Sequence, residues 1–157
     1  MDTKAEIKNK IIRALISENQ AIGIYQAEVF WKKYPQETFR VILKDESNHF
    51  HELNKYLVKN AWTYSSWNQL KIYLYLISGW FIGTFLSFLP RKTCFHFHMV
   101  AEKKAANEYK MLMENLNKIT GKDWKQSDQF NGLLKTMMNN EFIHSEIFLH
   151  HSFLHKK

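Results

Sequence analysis

The chain is poor in the residues that interrupt helices. Its 157 residues include 5 glycines and 2 prolines, too few for the many tight turns of a β-sandwich or barrel. A single cysteine, Cys94, excludes an internal disulfide and a cysteine-based zinc finger, and it fits a reducing, intracellular compartment. The N-terminus, Met1 to Glu6, carries acidic residues and no apolar run. It therefore reads as neither a secretory signal nor an Arg-rich transit peptide.

What is present argues for a packed, helical protein. Hydrophobic residues make up 45% and charged residues 24%, a balance that disordered chains lack. The length suits one domain, residues 1–157, with a sizeable buried core. Lys plus Arg outnumber Asp plus Glu by 22 to 15, a net charge of +7. Such a balance points to an anionic partner, nucleic acid or acidic lipid. No basic run interleaves with aromatics as in a nucleic-acid module, so nucleic acid is set aside and a membrane surface retained.

Helical periodicity runs through most of the chain. Ile7, Ile11, Leu15, Ile22 and Tyr25 recur at helical spacing behind Thr3 and Glu6, which read as a capping box. A first helix is expected from Thr3 to Lys33. Pro35 suits the first position of a second helix, Pro35–Lys59. Beyond a polar and aromatic segment, Ile72 to Pro90 is uncharged and bracketed by Lys71 and by Arg91-Lys92. This stretch is at the lower length limit for a membrane span, and it reads as either a buried crossover or a membrane-contacting helix. Gly79, Gly83 and Ser87 fall every fourth residue and leave one face open to another backbone. Further helices are expected after Pro90 to about Thr120, closed by Gly121, and from a cap at Ser127 or Asp128 to the end. Two antiparallel pairs joined by one long crossover make an all-α, ferritin-like four-helix bundle.

Two Glu-x-x-His motifs carry the chemistry. Glu46-Ser47-Asn48-His49 and Glu141-Phe142-Ile143-His144 each aim a carboxylate and an imidazole from one helix face. The helix before each motif supplies a glutamate on an apolar stripe, Glu18 and Glu102, and a core-facing carboxylate is costly unless paired or metal-bound. Four carboxylates and two divalent cations cancel in charge. The mixed oxygen and nitrogen donors suit iron, and manganese next. One such motif alone arises easily by chance; two, in alternate helices and with matching partners, form the di-metal carboxylate pattern. The halves also echo one another, since Tyr25 follows Glu18 by seven residues and Tyr109 follows Glu102 by seven. Both tyrosines are candidates to bond a ligand carboxylate. Glu28 and Glu108 are spare carboxylates, His98 reads as a core or supporting histidine rather than a ligand, and His150, His151 and His155 read as solvated.

These residues resemble the demethoxyubiquinone hydroxylase family of ubiquinone biosynthesis. The resemblance spans about residues 10–149. It rests on Glu18 with Ala21, Ile24 and Tyr25; on Asp45-Glu46 with His49; on Gly79 and Gly83 at the family's distance from Glu102; on Tyr109; and on Glu141, His144 and Glu146. The chain departs from the family at Glu108, at His98 and in the link Asn60–Tyr64, and it ends 13 residues after His144, where family members continue into further apolar helices. The resemblance implies a membrane-peripheral di-iron monooxygenase on the cytoplasmic face. Its two irons would be held by Glu18, Glu46 and His49 and by Glu102, Glu141 and His144, with Glu46 and Glu141 bridging. O₂ and a quinol ring would be the substrates, and a homodimer is compatible. Two other readings stay open: a ferritin- or rubrerythrin-like protein of peroxide reduction or iron handling, and a metal-free helical membrane adaptor.

Overall fold

A computed structural model describes residues 3–120 and 127–153; Gly121 and His155 lie outside them. Among the described residues the chain is all-α, with five helices and no strand: α1 (Thr3–Phe30), α2 (Gln36–Lys59), α3 (Ser66–Phe88), α4 (Arg91–Thr120) and α5 (Ser127–Phe153). They fall into two compact units, Met1–Leu89 and Pro90–Lys157.

In the first unit α1 packs against both α2 and α3. The expected stripe is the buried face of α1: Ile7, Ile11, Leu15, Ile22 and Tyr25 are all buried. Helix α1 ends at Phe30 rather than at the expected Lys33. Lys32 takes a left-handed conformation, φ 52°, and the amides of Lys32 and Lys33 donate back to Val29 O (3.1 Å) and Glu28 O (2.8 Å). This paired closure is a Schellman motif. Helix α2 closes the same way: Ala61 has φ 54°, and the amides of Ala61 and Trp62 donate to Val58 O and Leu57 O, each at 2.9 Å. Pro35 precedes α2 as its cap in an extended conformation rather than forming its first turn.

The connection between the expected helix pairs is itself a helix. Ser65 Oγ accepts from the Asn68 amide and starts α3. Helix α3 runs parallel to α1 at backbone contact. A Cβ on Gly23 would meet the backbone of Leu76 and Trp80; one on Gly79 would meet Gln20, and one on Gly83 would meet Ile24. Only hydrogen side chains allow that approach. Polar bonds align the two helices. Asn19 Nδ2 donates to Ile72 O (2.6 Å) and Gln20 Nε2 to Ser78 Oγ (3.1 Å). Lys33 Nζ donates to Ser87 O (3.0 Å) and Leu89 O (2.6 Å), the C-terminal carbonyls where a cation also meets the negative end of the helix dipole.

The second unit is an antiparallel pair. Phe95, early in α4, lies 6.1 Å from Phe148 and 5.7 Å from His151, late in α5. Phe130, Leu134, Met137 and Phe148 face the buried side of α5, spaced alternately three and four residues apart once Glu141 and His144 are counted with them.

Candidate metal centre

The donors sit where apolar residues would be expected. On α2 the buried positions run Phe39, Ile42, Glu46, His49, Leu53, Tyr56. On α5 they run Phe130, Leu134, Met137, Glu141, His144, Phe148. Each Glu-x-x-His motif therefore fills two successive places in an unbroken buried stripe. Three-residue spacing on a helix puts the pair on one face, and the flanking Leu, Ile and Phe turn that face inward. Glu18 and Glu102 likewise sit on the buried faces of α1 and α4, and all six side chains are at most 5% exposed.

In the first unit, donor atoms of Glu18, Glu46 and His49 lie within 4.8 Å of one another. His49 Nδ1 is 3.5 Å from Glu18 Oε2. In the second unit, donor atoms of Glu102, Glu141 and His144 meet the same limit. His144 Nδ1 is 3.7 Å from Glu102 Oε2 and 3.8 Å from Glu141 Oε2. The correspondence expected from spacing is thus present within each unit: the histidine of the later helix faces the glutamate of the earlier one.

Electrostatics bears on the second triad. Burial, then the hydrogen bond and negative charge of Glu141, push the Glu102 carboxyl up to about 7, while His144 pulls the other way. Two carboxyl groups share a hydrogen bond only if one keeps its proton. A cation beside the pair would relieve the same charge. A set of two carboxylates and one imidazole is chemically fit for iron or manganese, hard to borderline ions that such donors suit.

The other candidates are placed as follows. Tyr25 and Tyr109 are buried, Tyr25 with its ring 6.2 Å from Phe39. Glu108 is exposed and lies 3.8 Å from Lys104, so it faces away from the triad. Glu28 is fully buried, but ten residues along α1 from Glu18 is about 15 Å, too far to share an ion. His98 is buried, stacks on Phe148 at 4.7 Å and lies beside the Cys94 thiol. His150 is exposed, whereas His151 is half-buried against Phe95, contrary to the expectation that it is solvated. Glu146 lines an open apolar depression on α5 that contains none of the six donors.

Two buried polar residues carried no sequence signal. Asn19 follows Glu18 directly and binds α3. Ser145 follows His144 and returns its hydroxyl to Phe142 O at 2.7 Å. A polar residue beside a ligand candidate is common on any helix, so neither is distinguishable without coordinates. No protein-family model, curated protein or solved structure matches the chain.

Proposed function

We propose that the two triads act together as a carboxylate-rich di-iron centre, and that the chain is an O₂-dependent hydroxylase acting on a quinol ring. The observation that carries the metal reading is the repeated burial of the same donor set, two glutamates and one histidine, on the apolar stripes of both units. Burying four carboxylates without cations would cost several kcal/mol per ion. Glu18, Glu46 and His49 would hold one iron; Glu102, Glu141 and His144 would hold the other. A ferritin-like arrangement of the helix pairs belongs to the same reading. Bound iron would supply the one- and two-electron chemistry that O₂ requires and that protein side chains lack.

The chain's own groups have definite tasks in this scheme. Glu102 would give up its proton to hold a cation, so that loading the centre would release a proton. His49 and His144 would each hold the metal through a ring nitrogen. Ile42, Leu53, Leu134 and Phe148, fully buried on the same helical stripes, would limit water at the donors. The net reaction inserts one atom of O₂ into a ring C–H bond and releases the other as water, with two electrons from a quinol or an external reductant. The quinol itself is supported by the resemblance of the motifs and by the supply of apolar surface on α3.

Metal analysis of protein purified and reconstituted with Fe(II) tests the centre, with two irons per chain expected. Oxygen uptake then tests the activity, and it should require a quinol and yield a hydroxylated ring. Peroxide consumption without any quinol requirement would move the protein to peroxide reduction or iron handling. A chain that cannot be loaded with metal would leave only a helical adaptor.

A further inference from the structure

Glu18 and the contact of α1 with α3 lie on opposite sides of one helix. At about 100° of rotation per residue, Ile11, Ile22 and Tyr25 fall within about 40° of Glu18, and all are buried with it. Asn19, Gln20 and Gly23 fall about 100° to 200° away, and these residues meet α3. Asn19 Nδ2 donates to Ile72 O (2.6 Å), Gln20 Nε2 donates to Ser78 Oγ (3.1 Å), and Gly23 lies against the backbone of Leu76 and Trp80. The contact thus begins at the residue next to Glu18.

That arrangement meets a need which the apolar stripe leaves open. Hydrophobic burial is non-directional; it selects the face of α1 that turns inward but sets its roll only loosely. A side chain stands roughly 5–6 Å from the helix axis, so a roll of about 20° would carry the Glu18 carboxylate by about 2 Å. A binding constellation tolerates about 0.5 Å. Glu18 Oε2 is held 3.5 Å from His49 Nδ1. Hydrogen bonds are directional and resist such a roll. Asn19 separates direction from packing. It is 8% exposed, and an apolar side chain there would pack α1 on α3 without the desolvation cost of an amide. What the amide adds is direction.

We propose that Asn19 is a positioning residue for Glu18. Its bond to Ile72 O, backed by the close approach at Gly23, sets the roll of α1 and so keeps the Glu18 carboxylate opposite His49. This role rests on the reading of the first triad as a metal site. It gives α3 a part in the centre although α3 supplies none of the six donors.

Titration of the full chain with Co(II) tests it, because Co(II) accepts the same donors as Fe(II) and its visible absorption reports its coordination. The unaltered chain should take up two ions. Asn19→Leu should weaken one of them about 10- to 100-fold, the range for groups that orient a ligand, and leave the other unchanged. The absorption of the weakened ion should shift. Asn19→Ala should do the same, which excludes crowding by leucine as the cause. Added to Glu18→Gln, Asn19→Leu should cost little more, because it acts through the carboxylate already removed. Ile7→Val is the control for lost packing alone. Ile7 is buried on the same helix, about 16 Å from Glu18, and its variant should keep both affinities. Unchanged affinities in Asn19→Leu, with two ions on the unaltered chain, would overturn the positioning role and leave the metal reading standing. Equal losses in Asn19→Leu and Ile7→Val would reduce Asn19 to packing and overturn it too. A chain that binds no Co(II) would overturn the metal reading and this role together.

Discussion

The two helical units carry the same donors on differently built supports. In the first, α1 holds Glu18 between α2, which brings Glu46 and His49, and α3, which contacts α1 backbone to backbone. In the second, Glu102 on α4 faces Glu141 and His144 on α5, and Gly132, the glycine of α5, has no neighbour that a Cβ would touch. The donor set repeats because it is a local property, a three-residue spacing on a buried stripe. The support differs because it depends on where glycine permits close approach. Donor placement and helix packing are therefore set by separate features of the sequence.

The largest expected effect is on iron. If the triads are equivalent halves of one centre, Glu46→Ala and Glu141→Ala should each weaken iron binding by at least about 100-fold, since ligand loss exceeds the 10- to 100-fold typical of supporting partners. Stability should move the other way in the metal-free protein. Glu46→Leu removes a buried carboxyl and should stabilise that form by about 2 kcal/mol. Titration with Fe(II), and urea unfolding with and without metal, would measure both. Full iron content in Glu46→Ala would break the equivalence and the reading built on it.

Packing comes next. Gly79→Ala and Gly83→Ala should each destabilise the first unit by about 3 kcal/mol, the upper range for overpacking, because the obstructing atoms are backbone and cannot rotate aside. Gly132→Ala is the matched control in the second unit. With open space around it, the change should stabilise α5 by about 0.5–1 kcal/mol through reduced unfolded-state freedom. Denaturant midpoints for the three variants distinguish the two environments, and similar effects for all three would refute the close approach of α1 and α3.

The pH dependence should single out the second unit. Glu102 is raised from 4.5 to about 7 by burial and by Glu141. The folded metal-free protein therefore binds this proton more tightly than the unfolded chain does. The resulting stability is complete below pH 4.5 and is lost as pH rises through about 7, by up to about 3 kcal/mol. Metal affinity should rise over the same window, because the cation displaces the proton. Glu102→Gln keeps the shape and should abolish the slope, which unfolding of the metal-free protein between pH 5 and pH 8 would show.

The motifs were the most legible part of the sequence. Glu46, His49, Glu141 and His144 announce themselves because helix geometry alone puts i and i+3 on one face. The small-residue face of Gly79 and Gly83 could also be read, but not what approaches it. Its counterpart is Gly23, and a single glycine inside a helical pattern does not say which helix will lie against it. Helix ends were partly legible: Thr3, Lys59 and Thr120 bound their helices as expected, and the turn between α1 and α2 differs. Lys32 holds a left-handed closure with a side chain that normally avoids it, and α1 therefore ends at Phe30, three residues before the expected Lys33. Pro35 suits a first turn by its fixed φ, but its extended backbone makes it the cap. Tertiary packing decided each of these, as contact with Phe95 did for His151.

The two left-handed closures give the smallest effect and a further contrast between the units. Among the described residues, the positive-φ positions other than glycine are Lys32 and Ala61, both in the first unit. A Cβ in this conformation crowds the adjacent carbonyl at a cost of about 1–2 kcal/mol. Glycine removes that crowding but adds unfolded-state entropy. Lys32→Gly and Ala61→Gly should therefore each stabilise by about 0.5–1 kcal/mol. Ala61 is the cleaner test, because its neighbour Trp62 already packs against Tyr56 at 6.1 Å and keeps the turn in place. Amide exchange resolved by residue should show slower exchange at the C-terminal ends of α1 and α2 and no change in α5. Protection spreading equally into α5 would mean that the two units unfold as one cooperative block, and the contrast drawn between their supports would then hold for packing but not for stability.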